Sequence, residues 1–114
     1  MLNQRLAAGK AVANELFPAE KEVEDALVHT ARLAIAVIEG RRSARLPITT
    51  GQEGLVRVLQ ASLRLAEARE ELGAAHVAFR STQNEVGLRA ISFGNLWECP
   101  PNTGELQAEA ANVA

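Results

Sequence analysis

Residues 51–87 read GQEGLVRVLQASLRLAEAREELGAAHVAFRSTQNEVG, and this stretch decides the fold. Steps of three and four from Val58 reach Ala61, Leu65, Ala68, Leu72, Ala75, Phe79, Thr82 and Val86 with no charge in the series. Apolar residues at that alternating spacing mark a heptad seam on one long helix. Large side chains alternate with alanine or threonine, which lets a neighbouring helix approach closely and interdigitate. A second stripe of Val56, Leu59, Leu63, Ala66, Gly73 and Val77 lies almost opposite and is broken by Glu70. Arg57, Gln60, Arg64, Glu67 and Glu71 separate the stripes on one side, and Ser62, Arg69, His76 and Gln83 on the other. A surface helix has one apolar stripe, so two imply a helix held between partners.

The rest of the chain is read outward from this helix. Thr50-Gly51-Gln52-Glu53 fits a capping box, in which the Thr50 oxygen accepts from the Glu53 amide. Gly87 is placed as a C-terminal glycine. Before the turn at 46–50, the stretch from Ala26 to Ile38 is nearly all apolar apart from His29, Thr30 and Arg32. That pattern predicts a mostly buried central helix over about 18–44. Pro47 stops it, and a short connection makes the two helices antiparallel neighbours. Leu2, Leu6, Gly9, Ala13 and Leu16 predict a shorter N-terminal helix over about 2–16. The residue before a proline is pushed out of the α region, so a break is expected at Phe17-Pro18.

The expected fold is all-α: a long antiparallel hairpin with a shorter N-terminal helix, completed as a four-helix bundle by self-association. Residues 1–94 form the predicted domain. Residues 88–99 are read as a strand, an arm or a loop, and 95–114 as a polar tail in which Leu96 and Trp97 are out of character.

Composition narrows the function classes. The chain has 114 residues, 12 basic and 14 acidic, with a net charge of −2, so there is no global pull toward nucleic acid or acidic lipid. The single cysteine, Cys99, excludes an intrachain disulfide and a cysteine-rich zinc site. No apolar leader or membrane-length span is read, which gives a cytoplasmic expectation.

Catalytic groupings are not found. His29 and His76 fall at hairpin levels about ten residues apart, roughly 15 Å, too far to share one metal within a chain. Neither follows a glutamate by three residues, as the di-iron bundle motif requires. Cys99 precedes two prolines and has no helix N-terminus behind it to activate it. No phosphate-binding or dinucleotide glycine loop is present. No cofactor and no metal are expected. Arg41, Arg42 and Arg45 cluster at the hairpin turn, where a helix C-terminus favours cations. They are also the candidate anion-binding residues.

The first expectation is a non-enzymatic structural or interaction protein, a homo-oligomeric accessory or regulatory subunit. Val56, Leu59, Leu63 and Val77 are its expected oligomer interface. A nucleic-acid or nucleotide-binding regulator using the arginine turn is the alternative. An enzyme with a site shared between subunits, built on His76 and Glu70, is the third. The turn end carries Arg32, Arg41, Arg42, Arg45, Arg57 and Arg64, while Glu20, Glu22, Glu24, Asp25, Glu67, Glu70 and Glu71 gather at the other end. That polarity predicts an antiparallel homodimer, with an unidentified protein partner as a further possibility.

Overall fold

The computed structural model describes residues 1–88. They contain two helices and no strand: α1 over Leu2–Ser43 and α2 over Gln52–Glu85. The described residues divide into two compact units, Ala19–Glu71 and Met1–Pro18 with residues 72–88. The expected tail and the features at Leu96, Trp97 and Cys99 lie outside the described residues.

The break expected at Phe17-Pro18 is absent, so the separate N-terminal helix is instead the first part of α1. Proline removes one N–H and crowds the carbonyl four residues earlier, which belongs to Asn14. Asn14 and Pro18 are both exposed, so the disrupted step of α1 lies toward solvent. On the inner side Leu16 is buried and the Phe17 ring meets His76 edge-on at 5.7 Å. The cost falls at the surface, and the tertiary contacts sit on the face the proline leaves intact.

A regular seam accounts for this. Leu6, Gly9, Ala13 and Leu16 in one unit, and Glu20, Val23, Leu27, Thr30, Ala34, Val37 and Arg41 in the other, are all half-buried or buried. The steps alternate between three and four from Leu6 to Arg41 and do not change phase at Pro18. That is the spacing of a helix that presents one stripe to a neighbour.

In the Ala19–Glu71 unit the helices run antiparallel. Glu24 pairs with Arg69, the Ser62 hydroxyl lies 2.8 Å from the Thr30 hydroxyl, and a Cβ on Gly51 would stand 3.3 Å from Val37. The Thr30 hydroxyl in turn donates to the Leu27 carbonyl.

The turn in this unit closes with two left-handed residues. α1 ends in a Schellman motif: Leu46 N–H donates to the Arg41 carbonyl and Arg45 N–H to the Arg42 carbonyl. Arg45 occupies the left-handed position with φ 55°, where glycine is usual. α2 then starts from Gly51, whose carbonyl accepts from Leu55 N–H at 2.9 Å. The capping box expected at Thr50 and Glu53 does not form; neither side chain makes a hydrogen bond among the described residues. Gly51, at φ 76°, takes the N-cap position itself, and glycine is an acceptable cap.

Gly51→Ala is therefore expected to destabilise by about 1–2 kcal/mol, because a left-handed φ brings Cβ against the following carbonyl. Val37 adds a tight contact at 3.3 Å. Gly54→Ala meets open space inside α2 and is expected to stabilise slightly. Urea midpoints of the two variants check this, and equal midpoints would contradict it.

In the other unit α2 ends in a second Schellman motif. Leu88 N–H donates to the Gln83 carbonyl and Gly87 N–H to the Asn84 carbonyl, with Gly87 at φ 84°. Arg5 reaches across to the Val86 carbonyl at 3.3 Å, which sets the start of α1 beside this cap.

Candidate functional site

The chemistry-bearing residues of α2 are placed by the face it turns to α1 within each unit. In the Ala19–Glu71 unit the half-buried positions are Leu55, Val58, Ser62, Leu65 and Ala68. Arg69 joins them by donating from Nε and Nη2 to Glu24 Oε1 at 3.1 and 3.0 Å. In the other unit Leu72, Gly73, Ala75, Val77, Arg80 and Gln83 are half-buried, and His76 is buried. Gln83 Nε2 donates to the Leu88 carbonyl at 2.6 Å.

Sequence reading put Ser62, Arg69, His76 and Gln83 between the apolar stripes. The structure places all four at contacts: Thr30, Glu24, Phe17 and Leu88 are their respective partners. They stand seven residues apart, one per heptad. Of the expected seam, Val58, Leu65, Ala68, Leu72 and Ala75 are half-buried, whereas Ala61, Phe79, Thr82 and Val86 are exposed. The contact face is therefore turned by part of a residue step from an all-apolar line. The physical reason is that Ser62, Arg69 and His76 find partners on α1, while Gln83 bonds the cap that ends α2, and a satisfied polar contact can hold a seam position.

That rotation leaves apolar surface uncovered. Val56, Leu59 and Leu63 of the expected oligomer interface are 39%, 52% and 61% exposed. Val77, the fourth member, is half-buried. The central part of α1 adds Val28, Leu33, Ile35 and Ile38, each at least 40% exposed. Isolated exposed apolar residues are ordinary, whereas these large ones stand on adjoining helix turns.

The arginine cluster is divided in its roles. Arg41 is half-buried and donates to the Leu46 carbonyl at 3.0 Å, so its guanidinium helps close the turn. Arg42 and Arg45 are exposed. At the other end of the same unit Lys21 donates to Asp25 at 2.6 Å, and that hydrogen bond, with the attraction of Asp25, raises the Lys21 ammonium above its ordinary pKa.

Among the described residues, no group of three or more His, Cys, Asp or Glu side chains is arranged to hold a metal ion. His29 is exposed in one unit, and His76 is buried against Phe17 in the other. No helix among the described residues is long and apolar enough to cross a membrane. Compared with known proteins, the chain matches no family model, no curated protein and no solved structure.

Proposed function

We propose that the protein is a non-enzymatic accessory or regulatory subunit that works by self-association, as an antiparallel homodimer of helical hairpins. The observation that carries this reading is the uncovered ladder of Val56, Leu59 and Leu63, with Leu63 at 61% exposure. Covering a large aliphatic side chain contributes about 1.5–3 kcal/mol when it goes from fully exposed to buried. Several half-exposed ones on each chain would contribute together against the cost of association. Charge supports the antiparallel orientation: the arginines at the turn end would each lie near the partner's acidic end. A parallel pairing would bring like charges together.

His76 is buried, which argues against a site shared between subunits that uses its ring. Salt-sensitive retention of DNA or RNA through Arg42 and Arg45 would favour the alternative of a nucleic-acid-binding regulator.

Light scattering of the full chain tests the reading. A mass of two chains is expected, persisting at high salt because screening weakens exposed charge pairs and leaves apolar burial in place. Leu63→Glu is expected to give a monomer with unchanged helix content, since the dimer would bury an unpaired charge. A monomeric wild type would remove the proposal.

A further inference from the structure

Within the helices of the Ala19–Glu71 unit the uncovered large apolar residues lie on one side, apart from Leu33, which is 49% exposed on the other. At 3.6 residues per turn, Val28, Ala31, Ile35 and Ile38 share one flank of α1 relative to the face that meets α2. Val56, Leu59, Leu63 and Ala66 share one flank of α2. The helices are antiparallel in this unit, and each flank is reached by turning the same way from the contact when viewed from its own N-terminus. The two flanks therefore look to the same side of the hairpin. All eight residues are exposed or, for the larger ones, 39–61% exposed. The opposite side carries Glu22, Asp25, His29, Arg57 and Arg64 with Leu33 alone among large apolar residues, all exposed.

The α1 flank also has an order. Extended by one step at each end it reads Glu24, Val28, Ala31, Ile35, Ile38, Arg42, with spacings of four, three, four, three, four. Those spacings are the same in both directions about Leu33. Laid antiparallel on a copy of itself, Ala31 meets Ile35, Val28 meets Ile38, and Glu24 meets Arg42. The α2 flank, Gln52, Val56, Leu59, Leu63, Ala66, Glu70, has the same reversible spacing about Ala61. Thr30 stands beside Ser62, so the two centres lie within about two residues of one level, ~3 Å along the axis. One two-fold axis can serve both.

We infer that a second copy of this chain docks on this side, α1 antiparallel to the partner's α1 and α2 to the partner's α2, with Glu24 against the partner's Arg42 at both ends. The inference rests on the self-association proposed above and fixes its face, pairing and register. A two-fold axis crossing the helices gives identical interfaces and matches small to large side chains at the centre. Glu24 is half-exposed beside Arg69, at 57% for its side chain, and keeps an oxygen edge open to the partner's Arg42. A parallel pairing would set Glu24 against Glu24 and Arg42 against Arg42.

Sedimentation equilibrium of the full chain at low salt, with helix content followed by circular dichroism, tests this. Ile35→Glu is expected to give a helical monomer, and Leu33→Glu, on the opposite flank, a dimer. Glu24→Arg and Arg42→Glu are each expected to weaken the dimer by on the order of tenfold, since two like-charge contacts replace two pairs. The double reversal is expected to return the affinity to near wild type. The intrachain Glu24–Arg69 pair cannot produce that rescue, because Arg42→Glu does not restore it. A dimer untouched by Ile35→Glu, or one lost with Leu33→Glu alone, overturns the face. A double reversal no tighter than the single ones overturns the antiparallel register. In each of these cases the self-association proposal survives, whereas a monomeric wild type ends both.

Discussion

Ala34→Trp is expected to lower the melting temperature by about 10–20 °C, while Ala36→Trp, two residues along the same helix, leaves it nearly unchanged. Ala34 is 8% exposed and is the buried apolar residue of the Ala19–Glu71 unit. Thr30 one turn before it meets Ser62, and Val37 one turn after it approaches Gly51. An alanine between those two points lets the α1 and α2 backbones close together. An indole there must push the helices apart or leave its rotamer well. Overpacking by a few methylenes typically costs ~1–3 kcal/mol, and a bicyclic ring exceeds that. Ala36 is exposed and outside both flanks of the inferred dimer, so its tryptophan tests ring size without the packing. Thermal unfolding at one protein concentration checks the pair. Equal melting temperatures would mean that α1 and α2 do not meet through Ala34.

The helical character of the chain, the turn that separates α1 from α2 and the glycine that ends α2 were legible in the sequence, because each has a local cause. Apolar spacing of three and four sets a helix, Pro47 ends one, and Gly87 supplies a left-handed residue at no steric cost. The phase of the contact was not legible in the same way. Apolar residues alone drew a line through Ala61, Phe79 and Val86, which the structure leaves exposed. Ser62, Arg69, His76 and Gln83 read as surface because each is polar. Each becomes a contact only when a particular group stands opposite it, and a single helix cannot display its partner. A seven-residue repeat of polar residues beside an apolar line was the signal available.

Pro18 and Thr50 show the converse, local rules overridden by tertiary context. Proline before a negative run suggests a helix start. It is instead carried inside α1 because its missing N–H falls on the exposed side. Thr50 and Glu53 have the spacing of a capping box. Gly51 displaces it because the turn needs a left-handed residue close against Val37, where a side chain has little room. Of the expected interface stripe, Val77 is half-buried within the chain. Val56, Leu59 and Leu63 were singled out as apolar residues in excess of what one neighbour can cover, and the structure leaves them uncovered within the chain. The matching flank on α1 was harder to see, since the whole of 26–38 reads as apolar and only the contact face divides it.

Leu88→Ala is expected to cost about 2–5 kcal/mol, the second large effect, and to act on one unit alone. Leu88 is 2% exposed, the most buried large side chain among the described residues. Read as sequence it opened a strand or an arm. In the structure it follows Gly87 in the Schellman motif, where an apolar residue commonly packs back on the helix it ends. Its carbonyl accepts from Gln83, and the neighbouring Val86 carbonyl accepts from Arg5. Removing the side chain leaves a cavity under this cap, and both hydrogen bonds depend on the backbone it anchors. Local opening is then favoured over global unfolding, because the Ala19–Glu71 unit makes none of these contacts. Amide hydrogen exchange is the discriminating measurement. Protection is expected to fall over residues 80–88 and to persist over residues 23–41. Val86→Ala, at a position 38% exposed, is expected to cost under about 1 kcal/mol. If the two variants were equally stable, Leu88 would be buried without holding the cap. If protection were lost evenly in both units, the cap would be holding the whole chain.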